Sequence, residues 1–225
     1  MSDFVPAALL FDLDGTLIDT WKLYIESYTR ALTPFLGRAP TREDFEAHPP
    51  LSEGRFLREW LGEEEGGACH AELVRVYEEL HPTHAEGFYD GVPEMLAALR
   101  AAGIPLGIVT GKGRRAWEVT EGAFALGDFA VVLTDDDVDA PKPDPRGLLA
   151  AAARLGVEPA RLAYVGDSVA DLRAGRAAGM RVGAVLWPKT GEGERERFVK
   201  EIEPLAPDWL FERPADLTRT FARWC

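Results

Sequence analysis

Short apolar runs alternate with helical stretches along most of the chain. Ala7 to Phe11 (AALLF) reads as a buried strand. Ile104 to Val109 (IPLGIV), Ala130 to Leu133 (AVVL), Leu162 to Val165 (LAYV) and Arg181 to Val185 (RVGAV) read the same way. Between them the pattern is helical. Val92 to Ala102 stops at Gly103, Pro145 to Leu155 at Gly156, and Val169 to Ala178 at Gly179. Strand, helix, strand in repetition predicts an α/β fold, a doubly wound, Rossmann-like parallel sheet with helices on both faces. Such sheets bind ligands at the carboxyl ends of their strands, so motifs there carry extra weight. The tail APDWLFERPADL predicts one more short strand and a final helix.

From Asp19 to about Phe88 the rhythm breaks and every signal is helical. Trp21, Tyr24, Ile25, Tyr28, Leu32 and Phe35 define one apolar stripe at helical spacing. Phe56, Leu57, Trp60 and Leu61 form a second, and Leu73, Val76, Tyr77 and Leu80 a third. Pro49-Pro50 and Gly66-Gly67 punctuate them. The expectation is a helical-bundle cap, residues 19–88, inserted into an α/β core of residues 1–18 and 89–225. The aromatics of the insertion are expected in its core.

With 225 residues and 46% hydrophobic residues, the chain has material for a sizeable core. No segment approaches the roughly 20 apolar residues of a membrane span. The start, MSDFVPAALLFD, lacks the basic, apolar pattern of a signal peptide. Cys69 and Cys225 lie far apart and read as reduced thiols, so the cytoplasm is the expected location. A net charge of −13 argues against nucleic acid as a partner. It leaves room for an anionic substrate where a divalent cation reverses the local sign.

Chemistry concentrates at four strand ends. The first strand runs into Asp12-Leu13-Asp14-Gly15-Thr16. Two carboxylates two apart on an extended chain point the same way, and like charges that close call for a proton or a cation. A hard divalent ion with oxygen ligands is the natural solution, although the same residues could simply cap the next turn of the chain. The second strand stops at Thr110-Gly111-Lys112, where a hydroxyl and a helix start suit a phosphate oxygen. After the third comes Pro141-Lys142-Pro143, a lysine whose backbone is stiffened on both sides. The fourth ends in Gly166-Asp167-Ser168-Val169-Ala170-Asp171, with carboxylates four apart at a helix start.

Together these segments resemble the four motifs of the haloacid dehalogenase superfamily: FDLDGT, VTGK, the lysine of PKPDP, and GDSVAD. They stand in the family's order, and the helical insertion resembles the cap of one large subgroup. The resemblance covers essentially the whole chain. It implies that Asp12 is a nucleophile that becomes phosphorylated and that Asp14 is the general acid and later the base. It implies magnesium held by the Asp12 carboxylate, the backbone carbonyl of Asp14 and the Asp167 carboxylate. Thr110 and Lys142 then hold the phosphoryl oxygens, assisted by backbone groups of Leu13 and Gly111. Thr16 is expected to steady Asp14, while Ser168 and Asp171 stand behind the metal site.

The dehalogenase and phosphonate-cleaving branches lack an aspartate equivalent to Asp14, so its presence points to phosphate-ester chemistry. The implied function is hydrolysis of a small soluble phosphate monoester, phosphoglycolate-like first, by a monomer or homodimer. Arg38, Arg42, Arg55 and Arg58 are candidate cap cations for a second anionic group of the substrate. A phosphomutase, a pyrophosphatase, a nucleotidase and a phospho-accepting signalling protein are the alternatives. His81 and His84 are expected in a hinge or on the surface, and Trp187 in packing near the site mouth.

Overall fold

Every residue of Ala8–Phe11 (β1) is buried, as a central parallel strand covered on both faces requires. Its side chains alternate between two cores. Leu9 and Phe11 join Val92, Met95, Leu96, Leu99, Leu217 and Phe221 on one side. Ala8 and Leu10 join Leu148, Ala151, Ala152, Tyr164 and Ala174 on the other. The computed structural model describes residues 4–48, 52–124 and 126–222.

After β1 come β2 (Ile18–Asp19), α1 (Trp21–Leu36), α2 (Arg42–Glu46), α3 (Glu53–Leu61), α4 (Glu63–His84) and β3 (Gly87–Phe88). Next are α5 (Val92–Ala101), β4 (Leu106–Val109), α6 (Arg114–Ala123), β5 (Val131–Leu133), α7 (Arg146–Leu155), β6 (Leu162–Gly166) and α8 (Val169–Ala177). The chain continues with β7 (Arg181–Val185), α9 (Glu194–Ile202), β8 (Trp209–Phe211) and α10 (Pro214–Phe221).

Six strands form one parallel sheet in the order β5-β4-β1-β6-β7-β8. Phe11 lies opposite Ile108 of β4 on one side and Val165 of β6 on the other. This register brings the carboxyl ends of β1, β4 and β6 side by side. The strand order also reverses at β1, which opens a crevice there. Strand and helix limits differ from the sequence reading by a residue or two, as at Pro105 and Ala130, where the chain is still approaching the sheet.

The helical insertion leaves and re-enters the core through the antiparallel pair β2–β3, with Ile18 opposite Phe88 and Asp19 opposite Gly87. Its interior gathers Ala31, Leu32, Phe56, Leu57, Cys69 and Leu73. A second cluster, Leu23, Val76, Tyr77 and Leu80, reaches Ala116 of α6 in the core. The expected first stripe needs correction. Trp21 is 74% exposed and Ile25 41%, while Leu23 and Ser27 are fully buried. Helix α1 packs along α4, and its buried residues are Leu23, Ser27, Ala31 and Leu32, a line set by the face turned inward and not by apolarity alone. Gly66-Gly67 is not a break either, since α4 runs straight through it. A Cβ on Gly66 would lie 2.4 Å from the Arg58 Cα, so glycine allows α4 to cross α3 in backbone contact. Pro49-Pro50 falls outside the described residues. Among the described residues, no helix is long and apolar enough to cross a membrane.

Candidate active site

The loop leaving β1 turns sharply at Gly15, whose φ is +77°. Any Cβ there would come 2.7 Å from Asp167 Oδ2, so both the turn and the closeness of the two loops require glycine. Asp12 thereby ends up beside Asp167 and Asp171, with one carboxylate oxygen of each within 4.8 Å of the others. Asp12 itself is only 7% exposed.

Lys142 Nζ donates to Asp12 Oδ1 at 2.8 Å, to Asp171 Oδ1 at 2.6 Å and to Tyr164 Oη at 2.9 Å. Burial works against its charge, but Asp12 and Asp171 hold its pKa well above the ordinary lysine value, so it stays an ammonium. Asp171 also accepts from the Ser168 amide at 3.0 Å and the Ser168 hydroxyl at 2.6 Å. Both its oxygens are therefore taken by protein donors, and its place is behind Lys142. Asp12 Oδ2, by contrast, has no hydrogen-bond donor among the described residues. Burial, reinforced by Asp171 and Asp167 and opposed by Lys142, pushes the Asp12 pKa up to about 8. Further positive charge at this point is what would keep Asp12 anionic near neutrality.

Asp167 lies just past the end of β6. Its Oδ2 accepts from Lys189 Nζ at 2.7 Å and its Oδ1 from Thr16 Oγ1 at 3.4 Å. Thr16 was expected to steady Asp14, and it faces Asp167 instead. The hydroxyl on Asp14 is that of Thr20, 2.5 Å from Oδ1. The left-handed turn at Gly15 stands between Asp14 and Thr16, so sequence spacing does not report which carboxylate the Thr16 hydroxyl meets. Trp187 packs against the core and donates from Nε1 to the Thr16 carbonyl at 3.0 Å, bracing the same loop.

At the end of β4, Thr110 is buried, and its Oγ1 accepts from the Lys112 amide at 3.2 Å. Thr110, Gly111 and Lys142 line one small cavity. The Leu13 side chain is fully buried in the core, leaving only its backbone toward the loop. Lys112 turns away from this cavity, toward the insertion. Its Nζ lies 3.1 Å from Asp14 Oδ1 and donates to Tyr24 Oη at 2.8 Å and Tyr77 Oη at 2.7 Å. Sequence reasoning missed Thr20, Tyr24, Tyr77, Tyr164, Lys189 and this role of Lys112. Tyr24 and Tyr77 read as ordinary bundle core and Tyr164 as part of a buried strand, and the available signal was that each carries a hydroxyl that burial obliges to find a partner.

The cap arginines are engaged elsewhere. Arg38 pairs with Asp44 at 2.6 Å and Arg58 with Glu63 at 3.2 Å. Arg55 pairs with Asp135 at 3.2 Å and donates to the carbonyls of Val138 and Asp139, at 2.6 and 2.9 Å, which ties α3 to the core loop after β5. Arg42 is not free. His81 is buried against Thr120, not at the surface, while His84 sits at the end of α4.

The donor set of Asp12 and Asp167 is all oxygen, which suits a hard divalent cation of the magnesium class and disfavours softer ions. The acidic cluster is thus consistent with a metal site. Residues 9–185 match the sequence profile of the haloacid dehalogenase-like hydrolases. The chain belongs to that family. It is 36% identical over 223 residues to pyrophosphatase PpaX of Bacillus velezensis, covering 96% of this chain and 97% of that one. It is also 36% identical to the phosphoglycolate phosphatase of Xylella fastidiosa, covering 97% and 94%. N-acetylmuramic acid 6-phosphate phosphatase of Pseudomonas aeruginosa is 34% identical over 80% of this chain and 81% of its own. The fold is shared with CbbY of Rhodobacter sphaeroides, solved with phosphate, at a TM-score of 0.76, 23% identity and coverage of 95% and 96%. This haloacid dehalogenase-like protein is therefore a phosphatase-type hydrolase, with a six-stranded parallel core and a helical insertion.

Proposed function

We propose that this enzyme hydrolyses a small soluble phosphate monoester through an aspartyl-phosphate on Asp12, with magnesium as its ion. The observation that supports this best is the Asp12 carboxylate: one oxygen is held by Lys142 at 2.8 Å, and the other is left without a donor in a nearly buried pocket. Oδ2 attacks phosphorus, and the bond to the leaving oxygen breaks. Asp14 protonates that oxygen, then takes a proton from the water that cleaves the aspartyl-phosphate. Lys142 and Thr110 hold the transferring oxygens, with the backbone of Leu13 and Gly111 beside them. The Asp12 carboxylate, the Asp14 carbonyl and the Asp167 carboxylate would hold the ion. Once bound, it offsets repulsion between a carboxylate and a phosphate dianion.

The substrate reading rests on the relatives: pyrophosphate, phosphoglycolate and a sugar acid phosphate are all small, soluble and anionic. Phosphoglycolate is our first candidate. The cap arginines lend it no separate support, since Arg38, Arg55 and Arg58 already face carboxylates. A cytoplasmic monomer or homodimer completes the reading. The test is phosphate release from a panel of phosphoglycolate, pyrophosphate and sugar phosphates, with magnesium, after exhaustive chelation, and after magnesium add-back. Activity should vanish on chelation and return with the ion. Asp12→Asn should lower turnover by at least roughly a thousandfold in a folded protein. Undiminished activity in that variant would remove Asp12 from the mechanism, and undiminished hydrolysis after chelation would remove the metal.

A further inference from the structure

Lys112 is a cation without any exposed side-chain surface, placed where core and insertion meet. A buried ammonium is tolerated only when its three N–H groups are matched. Here Tyr24 of α1 and Tyr77 of α4 accept hydrogen bonds, and Asp14 of the core loop supplies the opposing charge 3.1 Å away. The ammonium also lies over both tyrosine rings, 4.6 Å and 4.5 Å from their centroids. The tyrosines are themselves held. Tyr24 Oη donates to Glu53 of α3, and Tyr77 Oη shares a 2.9 Å hydrogen bond with Thr120 of α6. Two helices of the insertion thus meet one core lysine directly and a third braces them through Glu53, and that lysine lies 3.1 Å from Asp14.

We infer that Lys112 is a positioning residue: seated between Tyr24 and Tyr77 of the insertion, it holds the Asp14 carboxyl in line for proton transfer to the leaving oxygen. This rests on the reading of Asp14 as the acid. With Lys112 in place, Asp14 Oδ1 is fixed from two sides, by Lys112 and by Thr20. Without it, one hydroxyl is left to orient a carboxyl that must meet a departing oxygen within hydrogen-bond reach. A direct role in binding the substrate is disfavoured, because Lys112 does not line the cavity that Thr110, Gly111 and Lys142 share, and its ammonium is buried between the two tyrosines.

Leaving groups of different basicity separate positioning from mere structural support. An alkoxide leaving group needs the proton, whereas 2,4-dinitrophenolate departs without it. kcat/KM reports the phosphorylation half-reaction in which that proton moves. Lys112→Met keeps the apolar stem and removes the charge. It should lower kcat/KM for an alkyl phosphate by about ten- to hundredfold, part of the range a general acid contributes, while 2,4-dinitrophenyl phosphate changes by less than about threefold. Tyr77→Phe keeps the ring and deletes one acceptor. It should show the same selectivity at a smaller size, and it decides the matter if Lys112→Met does not fold.

Asp14→Asn is the reference. If it slows both substrates equally, the acid assignment itself fails. If it is selective while folded Lys112→Met, or failing that Tyr77→Phe, slows both substrates equally or neither, the role of Lys112 is overturned. A rise in KM confined to substrates with a second anionic group would also overturn it, by making Lys112 a ligand.

Discussion

Two lysines approach the aspartates of the loop after β1, Lys112 fully buried and Lys142 nearly so, and they are held in opposite ways. Lys142 is fixed wholly by the α/β core: Asp12, Asp171 and the Tyr164 hydroxyl, which in turn donates to the Val109 carbonyl at 2.9 Å. Lys112 is fixed by one core carboxylate and two tyrosines of the insertion. The environment of Lys142 therefore exists whatever the insertion does. That of Lys112 exists only when the insertion is seated. The first arrangement suits a charge that any phosphate must meet, and the second suits a step that depends on closure around a particular substrate.

Of the two lysines, the larger effect should come from Lys142→Met. With Lys142 holding the transferring oxygens as proposed, loss of its charge should cost about a hundredfold or more in kcat/KM, and should do so equally for alkyl and dinitrophenyl phosphates. It also leaves Asp12 and Asp171 facing each other without their cation, and breaking such a buried pair destabilises by about 3–5 kcal/mol. Steady-state kinetics and denaturant unfolding check both halves. A loss confined to alkyl phosphates would erase the distinction between the two lysines.

Leu73→Ala approaches the same distinction from the insertion. Leu73 is buried in that interior with Leu32, Phe56 and Leu57, and truncation should cost about 2–5 kcal/mol. Since the cavity loosens only the insertion, alkyl phosphates should lose more activity than dinitrophenyl phosphate. Equal loss on both would show that the seat of Lys112 does not depend on insertion packing.

Asp208→Asn is a stability control remote from both lysines. The Asp208 carboxylate accepts from the Val182 amide at 2.9 Å and faces Arg181 at 2.6 Å and Arg176 at 2.8 Å. Burial opposes its charge, yet these partners hold its pKa below the ordinary carboxylate value. A depressed folded-state pKa means stability present above the unfolded pKa and lost as pH falls through the folded one. The variant should be less stable by about 1.5–3 kcal/mol at neutral pH, and the gap should narrow as pH falls below the ordinary carboxylate range. Thermal unfolding across pH measures it, and substrate preference should not move. The smallest effect belongs to Trp21→Ser. This exposed side chain on the insertion should contribute within about 0.5 kcal/mol and leave kinetics on both substrates unchanged. A clear loss of activity would place Trp21 in the closing of the insertion.

Local sequence was enough to set the alternation of strands and helices, the helical interruption, and the position of each motif at a strand end. These come from short-range physics: apolar runs that need burial on both faces, glycines that stop helices, and a turn after Asp14 that only glycine can make. Partners were set by tertiary packing. Thr20, not Thr16, meets Asp14; Lys189 meets Asp167; Arg55 grips the loop after β5; and Ser27 is buried while Trp21 is exposed. Lys112 and Tyr24 stand 88 positions apart, yet they share a hydrogen bond of 2.8 Å. A hydrogen bond or ion pair is made within a few tenths of an ångström. Sequence spacing can bring such groups to the same end of a sheet, but only the packing of the insertion against the core sets which of them touch.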